Sequence, residues 1–546
     1  MQSTDRTRPQ HTPTIAKNGM VATSEPHASS VGLEILKRGG HAIDAAIAAN
    51  AMLGLVEPMS CGLGGDVFAI VWDASTRRLV GFDGCGRAPA AMTRDTFAER
   101  GLDRIPLHGP PTWTVPGCVD GWFALHERFG RLSMAELLEP TIQMAEEGFP
   151  VAPVIAGSWA KRRELLAQDP GATETFLVDG RTPEAGEIFR NRDLAGSLRA
   201  IRDGGRDAFY RGEISVRIGA CSEAVGGLLQ RDDLAGHCST WVDPVSVDYR
   251  GTTLWELPPS TQGIAALQML QILVECDLGS LPRQSPELMH LLIEAKKLAF
   301  EDRARYYADP AFAEMPIDRL ISAARGRLHR QAITDRALQT FEPEDPRLRA
   351  GDTVYLTAVD SERNAVSFIQ SIYHPFGSGI VPSGSGFAMQ NRGNLFSLDP
   401  AHPNSLEPGK RPFHTIIPAF LTRDGDPLFS FGVMGGDMQP QGHVQILVNL
   451  LDYGMDVQAA GDAPRFRHDG SSTPTGDRMT DGGTVRLEPG FPEETIEGLR
   501  SRGHRVEIGE PGEGGFGGYQ GIWIDPETGD LHGGTESRKD GCARGY

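Results

Sequence analysis

Thr353 is the residue through which this chain could do covalent chemistry. It opens a run of β-formers, Thr353-Val-Tyr-Leu-Thr-Ala-Val359, and a second run, Ala365-Val-Ser-Phe-Ile-Gln-Ser-Ile372, follows a polar turn through Ser361 and Asn364. Two such runs about a polar turn predict a hairpin. If Val359 pairs with Ala365, Thr353 lies opposite Ser371; a four-residue loop would shift the register by one. Directly opposed Cβ atoms sit about 4.5–5.5 Å apart, close enough for two hydroxyls to bond. The stretch before Thr353, residues 342–351, is polar, acidic and Pro-bearing, and reads as an exposed linker that could be cut between Asp352 and Thr353. The cut would free the Thr353 α-amine. Its ordinary pKa of about 7.7–8 suits it to take the proton of its own hydroxyl, a weak nucleophile otherwise. A threonine at the head of a strand is by itself ordinary, since Thr favours strands.

The elements that must position this pair come in a mixed order. Residues 31–39 and 41–55 read as helices, the second rich in alanine, which suits close packing on a sheet; residues 61–82 read as strands with a turn near Ala74-Ser75. Helical patterns return at 134–147, 152–166, 193–203, 264–274 and 287–307, the last stopped by Asp309-Pro310. Beyond the linker come short strands, Gly-rich turns and one helix near 441–453, while residues 1–18 read as a loosely attached lead. This order predicts an α+β protein, layered α/β/β/α.

Composition removes several function classes. Lys plus Arg number 53 against 72 Asp plus Glu, a net charge of −19 that disfavours nucleic acid and anionic membranes. The most apolar stretch, 263–274, is short of the ~18 residues of a membrane helix and contains Gln268 and Gln271. No secretory leader is legible at the start, and seven scattered cysteines with no C-x-x-C pair read as reduced thiols, so a cytoplasmic location is expected. No His cluster has metal-ligand spacing, and no metal or cofactor is expected. A G-x-G-x-x-G match at 512–517 precedes a strand-like run at 519–526, whereas a dinucleotide site needs a helix there. Neither G-x-S-x-G nor H-E-x-x-H occurs.

A set of spaced motifs sharpens the reading. Gly39-Gly-His-Ala-Ile-Asp-Ala-Ala46, Val56-Glu-Pro58, Gly62-Leu-Gly-Gly65, Pro258-Pro-Ser260, Glu294…Lys297…Asp302-Arg303…Tyr306…Asp309-Pro310, Lys410-Arg-Pro412, Asp452-Tyr-Gly454, Ala463-Pro-Arg465 and Arg538…Asp540-Gly541…Gly545-Tyr546 run in order to the last residue. Together they resemble the gamma-glutamyltransferase family. The resemblance implies a four-layer N-terminal-nucleophile hydrolase, made as a proenzyme that cuts itself before Thr353 into a large subunit, 1–352, and a small one, 353–546, forming one interlocked fold, with a homodimer of processed units as a candidate assembly. It further implies Ser371 as the hydroxyl that orients the nucleophile, Gly435 and Gly436 as the oxyanion hole, and Arg87 as the grip on a substrate carboxylate. Asp302 and Arg303 are expected as an ion-pair couple at the subunit contact.

The chain departs from that family where glutamate is read. Arg392 and Leu395 stand where gamma-glutamyl-specific members hold the substrate α-amine with an acidic residue and a Gln or Glu. His414 and Thr415 stand where those members have two serines, and Tyr373 replaces an Asn near the nucleophile. The implied activity is an amidohydrolase or acyltransferase acting on gamma-glutamyl or related carboxylate-bearing acyl groups. The alternatives are an oxamate-type or cephalosporin-acylase-like amidase and an uncut carboxylate-binding protein. The stretch 397–409 is shorter than in lid-bearing members, so an open pocket is expected.

Overall fold

The hairpin predicted around Thr353 lies in the middle of one of two stacked sheets in the computed structural model, which describes residues 12–340, 353–510 and 515–546. Before residue 341 the sheets take β1 (Thr14–Ala16), β2 (Met20–Thr23), β3 (Asp66–Asp73), β4 (Arg78–Gly84), β5 (Thr240–Val242), β6 (Val245–Tyr249) and β7 (Thr252–Glu256). After residue 352 they take β8 (Val354–Val359), β9 (Ala365–Ser371), β10 (Ala419–Arg423), β11 (Asp426–Met434), β12 (Gly518–Ile524), β13 (Leu531–Gly534) and β14 (Cys542–Gly545). One sheet runs β14-β2-β8-β9-β3-β4-β5 and the other β1-β13-β12-β11-β10-β7-β6. Each sheet interleaves strands from both sides of residues 341–352, so neither side completes a sheet without the other.

Both sheets are covered on their outer faces, which is why their strands are apolar on both sides. Against the first pack α1 (Pro26–Lys37) and α2 (Ala42–Val56), with α3 (Met134–Glu147) lying on α2 and α4 (Arg192–Tyr210) on α3. Against the second pack α5 (Gly263–Leu273) and α7 (Met438–Leu451), with α6 (Pro286–Tyr306) lying on α5. Phe68, Ile70, Tyr355, Ile369, Phe420, Met434 and Ile522 fill the space between the sheets. The expected α/β/β/α order is therefore observed. The alanines of α2 serve as expected: the helix is buried almost all round and lies over β8 and β9.

Several boundaries differ from the sequence expectation. Helix α1 starts at Pro26, with the Glu25 carboxylate accepting from His27 N at 2.7 Å and Ala28 N at 3.3 Å, an N-terminal cap with proline in the first turn. The predicted 152–166 helix is broken into Pro153–Ala160 and Arg163–Leu166. The lead is not loose throughout, because β1 pairs with β13. Residues 1–11, the linker 342–351 and Asp352 lie outside the described residues. So do residues 512–514 of the glycine-rich match, whose downstream segment is strand β12, as expected. Among the described residues no helix is long and apolar enough to cross a membrane.

Candidate active site

The register of β8 against β9 brings the two hydroxyls together. Val359 pairs with Ala365 and Val354 with Gln370, which continues to Thr353 opposite Ser371. The Thr353 Oγ1 hydroxyl donates to Ser371 Oγ at 3.4 Å, and Ser371 Oγ also accepts from Tyr373 N at 2.8 Å. Both residues are buried. The row extends onto β3, where Ser371 pairs with Asp66. Directly paired residues share a face, and here that face is the space between the sheets, where Tyr355, Ile369 and Phe68 also point.

Gly435 and Gly436 follow β11 at φ of 120° and 60°, conformations that glycine alone adopts without strain. Gly435 O accepts from Met438 N at 3.1 Å; Gly436 O accepts from Gln439 N at 3.2 Å and from Gln262 Nε2 at 2.9 Å. A trans peptide points its N–H opposite to its C=O, so tying the Gly435 carbonyl down turns the Gly436 N–H outward. Gln262 also donates to Thr415 O at 2.6 Å and accepts from Arg303 Nη1 at 2.6 Å. Arg303 in turn pairs with Asp437 at 2.7 Å. Burial alone would raise the Asp437 carboxyl, but the guanidinium beside it holds it below the usual carboxylate range. The expected Asp302–Arg303 couple is not formed. Arg303 reaches across to Asp437, while Asp302 accepts from Gln268 Nε2 at 2.7 Å and Arg325 Nε at 3.1 Å, because neighbouring residues on a helix face different ways.

The residues expected to read substrate are divided. Arg392 opens a short 3₁₀ turn and is fully buried, its guanidinium 4.5 Å from the Tyr373 ring. Its Nη1 donates to Thr415 Oγ1 at 2.8 Å, whereas Nε and Nη2 have no hydrogen-bond partner among the described residues. Burial pulls its pKa down to about 10, against Asp66 and Tyr373, which favour the charge. Tyr373 adopts φ of 79°, rare for a bulky residue and the kind of strain that clusters at functional sites. Arg87 is the accessible one, about 35% exposed, donating to Gly409 O at 3.0 Å with Asp309 at 3.7 Å. His414 does not face a ligand as expected. Its Nδ1 accepts from Ile416 N at 3.4 Å, so Nε2 carries the proton and meets Asp66 Oδ2 at 3.2 Å. Leu395 belongs to the core under the second sheet.

Sequence reasoning missed Asp66 and Gln262. The one available signal for Asp66 was its place straight after Gly62-Leu-Gly-Gly65, since glycines often mark backbone that must approach a neighbour closely. It also missed two side-chain clusters with the chemistry of metal ligands: Asp66, Cys85 and His414, and His290, Glu294 and His504. Linear spacing hides the first, whose members Asp66 and His414 lie 348 residues apart. In the first the carboxylate already accepts four hydrogen bonds. In the second Glu294 is ion-paired with buried Lys297 at 2.9 Å. The short 397–409 stretch folds back on itself through Ser397 N to Asn404 O at 3.0 Å and Leu406 N to Ser397 O at 2.8 Å, and Thr353 and Arg392 lie below the surface.

The Gamma-glutamyltranspeptidase family model matches residues 28–546. The chain belongs to the gamma-glutamyltranspeptidase family. It is 39% identical to a glutathione hydrolase-like proenzyme of Bacillus subtilis over 97% of this chain and 99% of that one. It is 34% identical to the oxamate amidohydrolase proenzyme of Klebsiella pneumoniae, over 98% of this chain and all of the other. A cephalosporin acylase from Bacillus halodurans superposes with a TM-score of 0.91 at 42% identity, covering 100% of this chain and 99% of that structure. This member of the family is thus an amidohydrolase or acyltransferase with an N-terminal-nucleophile hydrolase fold, as its sandwich and its relatives agree.

Proposed function

We propose that the chain is cut between Asp352 and Thr353 into subunits 1–352 and 353–546, and that it then hydrolyses amides whose acyl group ends in a carboxylate and needs no α-amine. Oxamate and short dicarboxylate monoamides are the leading substrates. The observation that carries this reading is the buried Arg392, two of whose nitrogens have no hydrogen-bond partner among the described residues, beside Tyr373. A guanidinium in that state suits an incoming carboxylate and repels an ammonium. The oxamate amidohydrolase relative supports the same substrate class.

In the proposed cycle Thr353 Oγ1 attacks the amide carbon and its proton passes to the Thr353 α-amine, with Ser371 fixing the hydroxyl. The carbonyl oxygen becomes an oxyanion facing the Gly435-Gly436 backbone, preorganised by Gln262. The C–N bond then breaks, and the α-ammonium returns the proton to the departing amine, leaving an acyl ester on Thr353. Water attacks the ester and gives its proton to the α-amine; the C–O bond to Thr353 then breaks as the α-ammonium returns that proton to Oγ1, releasing the free acid and restoring the hydroxyl. Arg392 and Arg87 grip the carboxylate of the acyl group.

The test is a side-by-side assay of oxamate, succinamate and glutathione with purified protein. The reading expects a kcat/KM for oxamate or succinamate at least tenfold above that for glutathione. Glutathione as the better substrate would overturn the substrate assignment.

A further inference from the structure

We propose that Asp66 is a positioning residue for substrate specificity: its buried carboxylate locks together the three segments that carry Arg87, Arg392 and Thr415. The inference rests on the reading of Arg87 and Arg392 as carboxylate grips. Asp66 Oδ1 accepts from Gly86 N at 3.0 Å, the residue before Arg87, and from Gln390 Nε2 at 3.0 Å, two residues before Arg392. A third donor to Oδ1 is Gly117 N at 3.1 Å, while Oδ2 meets His414 Nε2 at 3.2 Å, the residue before Thr415. Gln390 also donates to Val115 O at 3.2 Å, and Val115 N donates to Arg87 O at 3.1 Å, which closes the ring.

The glycines around this carboxylate have no other latitude. A Cβ on Gly86 would lie 1.5 Å from Val115 O, and one on Gly117 1.8 Å from Gly84 O. Only bare backbone brings both N–H groups onto one oxygen there. The hub also sits in the catalytic row, since Asp66 pairs with Ser371 and Gly65 approaches the Ser371 carbonyl too closely for any side chain. One residue thereby fixes the carboxylate-reading groups relative to the nucleophile, although it touches neither substrate nor Thr353.

Asp66→Asn keeps an acceptor for the three donors on Oδ1 but turns an NH₂ against the His414 N–H. The test measures kcat and KM on the best of oxamate, succinamate and glutathione, and nitrophenolate release from p-nitrophenyl acetate, a neutral acyl donor. Asp66→Asn is expected to raise KM tenfold or more with kcat within threefold and the neutral ester within twofold. Gln390→Met, which removes one limb, is expected to raise KM about threefold. Equal losses on both substrates would reduce Asp66 to a fold-stabilising role, and an unchanged KM in both variants would remove the proposal. An Arg392→Leu control separates the two readings. If KM is indifferent to Arg392 the carboxylate reading has failed; if KM depends on Arg392 but not on Asp66, only the hub has.

Discussion

The nucleophile corner and the carboxylate corner of this molecule are built by different means. Thr353 and Ser371 are set by the ladder of one hairpin, where a two-residue period and a short turn fix which side chains oppose each other. Arg392, Tyr373 and Thr415 come from separate turns of the segment 373–415, and Arg87 from a loop 286 residues before Tyr373; they are tied by buried charges and backbone donors rather than by a sheet register. The first arrangement delivers one chemistry to any acyl group presented to it. In the proposed function the second decides which acyl group arrives.

That division can be broken most severely at the nucleophile. Thr353→Ala should abolish self-cleavage and lower turnover at least about 10³-fold on every substrate, as expected when the attacking atom is removed. A gel with two bands for the Thr353→Ala protein would end the assignment. At the other corner, Arg392→Leu should lower kcat/KM on oxamate or succinamate by about 10²-fold, the scale of losing a buried charged partner. It should leave the neutral ester untouched. Its melting temperature should not fall, because replacing a buried, half-satisfied charge by an apolar side chain is often neutral or stabilising. A drop in stability would show that the guanidinium serves the fold rather than the substrate.

Gln262 lies between the two corners, holding both Gly436 O and Thr415 O. Gln262→Met should reduce kcat about tenfold with little change in KM, a share of the 10²–10³ carried by a direct oxyanion donor. A pure KM effect would move it wholly to the carboxylate side.

Much of this was legible in the sequence, for identifiable reasons. The hairpin register needed only the alternation of β-formers and the length of the turn between Val359 and Ala365. The start of α1 was legible too, in Glu25-Pro26, but apolar periodicity pointed instead to residue 31. The β1 strand escaped because three residues beside a polar lead give no pattern, and its partner lies more than five hundred residues away. Asp66, Gln262 and the partner of Arg303 escaped because buried polar networks leave no period in the chain. Residues that meet across 41 to 348 positions are joined by the fold and not by local spacing. The glycines of Gly62-Leu-Gly-Gly65, just before Asp66, were the visible trace of that hub.

The smallest expected effect is a pH dependence of stability. Burial pushes the Asp66 carboxyl up to about 7, with Arg392 and the donors to its oxygens pulling the other way. Around it His414 is held neutral by burial, Cys85 stays a thiol for the same reason, and Arg411 and Asp83 lie behind Cys85. A carboxyl raised above its unfolded value binds more protons folded than unfolded. Its contribution is therefore fully present below about pH 4 and lost as pH rises through about 7. Thermal melts of the wild type and Asp66→Asn across pH 4 to 8 should diverge in slope, with the variant flatter. Parallel slopes would mean that the carboxyl is ionised throughout.

The central claim is that one backbone bond, before Thr353, is broken by the chain itself to make its own catalytic amine. Intact mass spectrometry of freshly purified protein reads this directly. The account predicts two polypeptides, residues 1–352 and 353–546, with Thr353 at the start of the second, and a single uncut chain for Thr353→Ala. A fully active preparation consisting of one continuous polypeptide of 546 residues would contradict it.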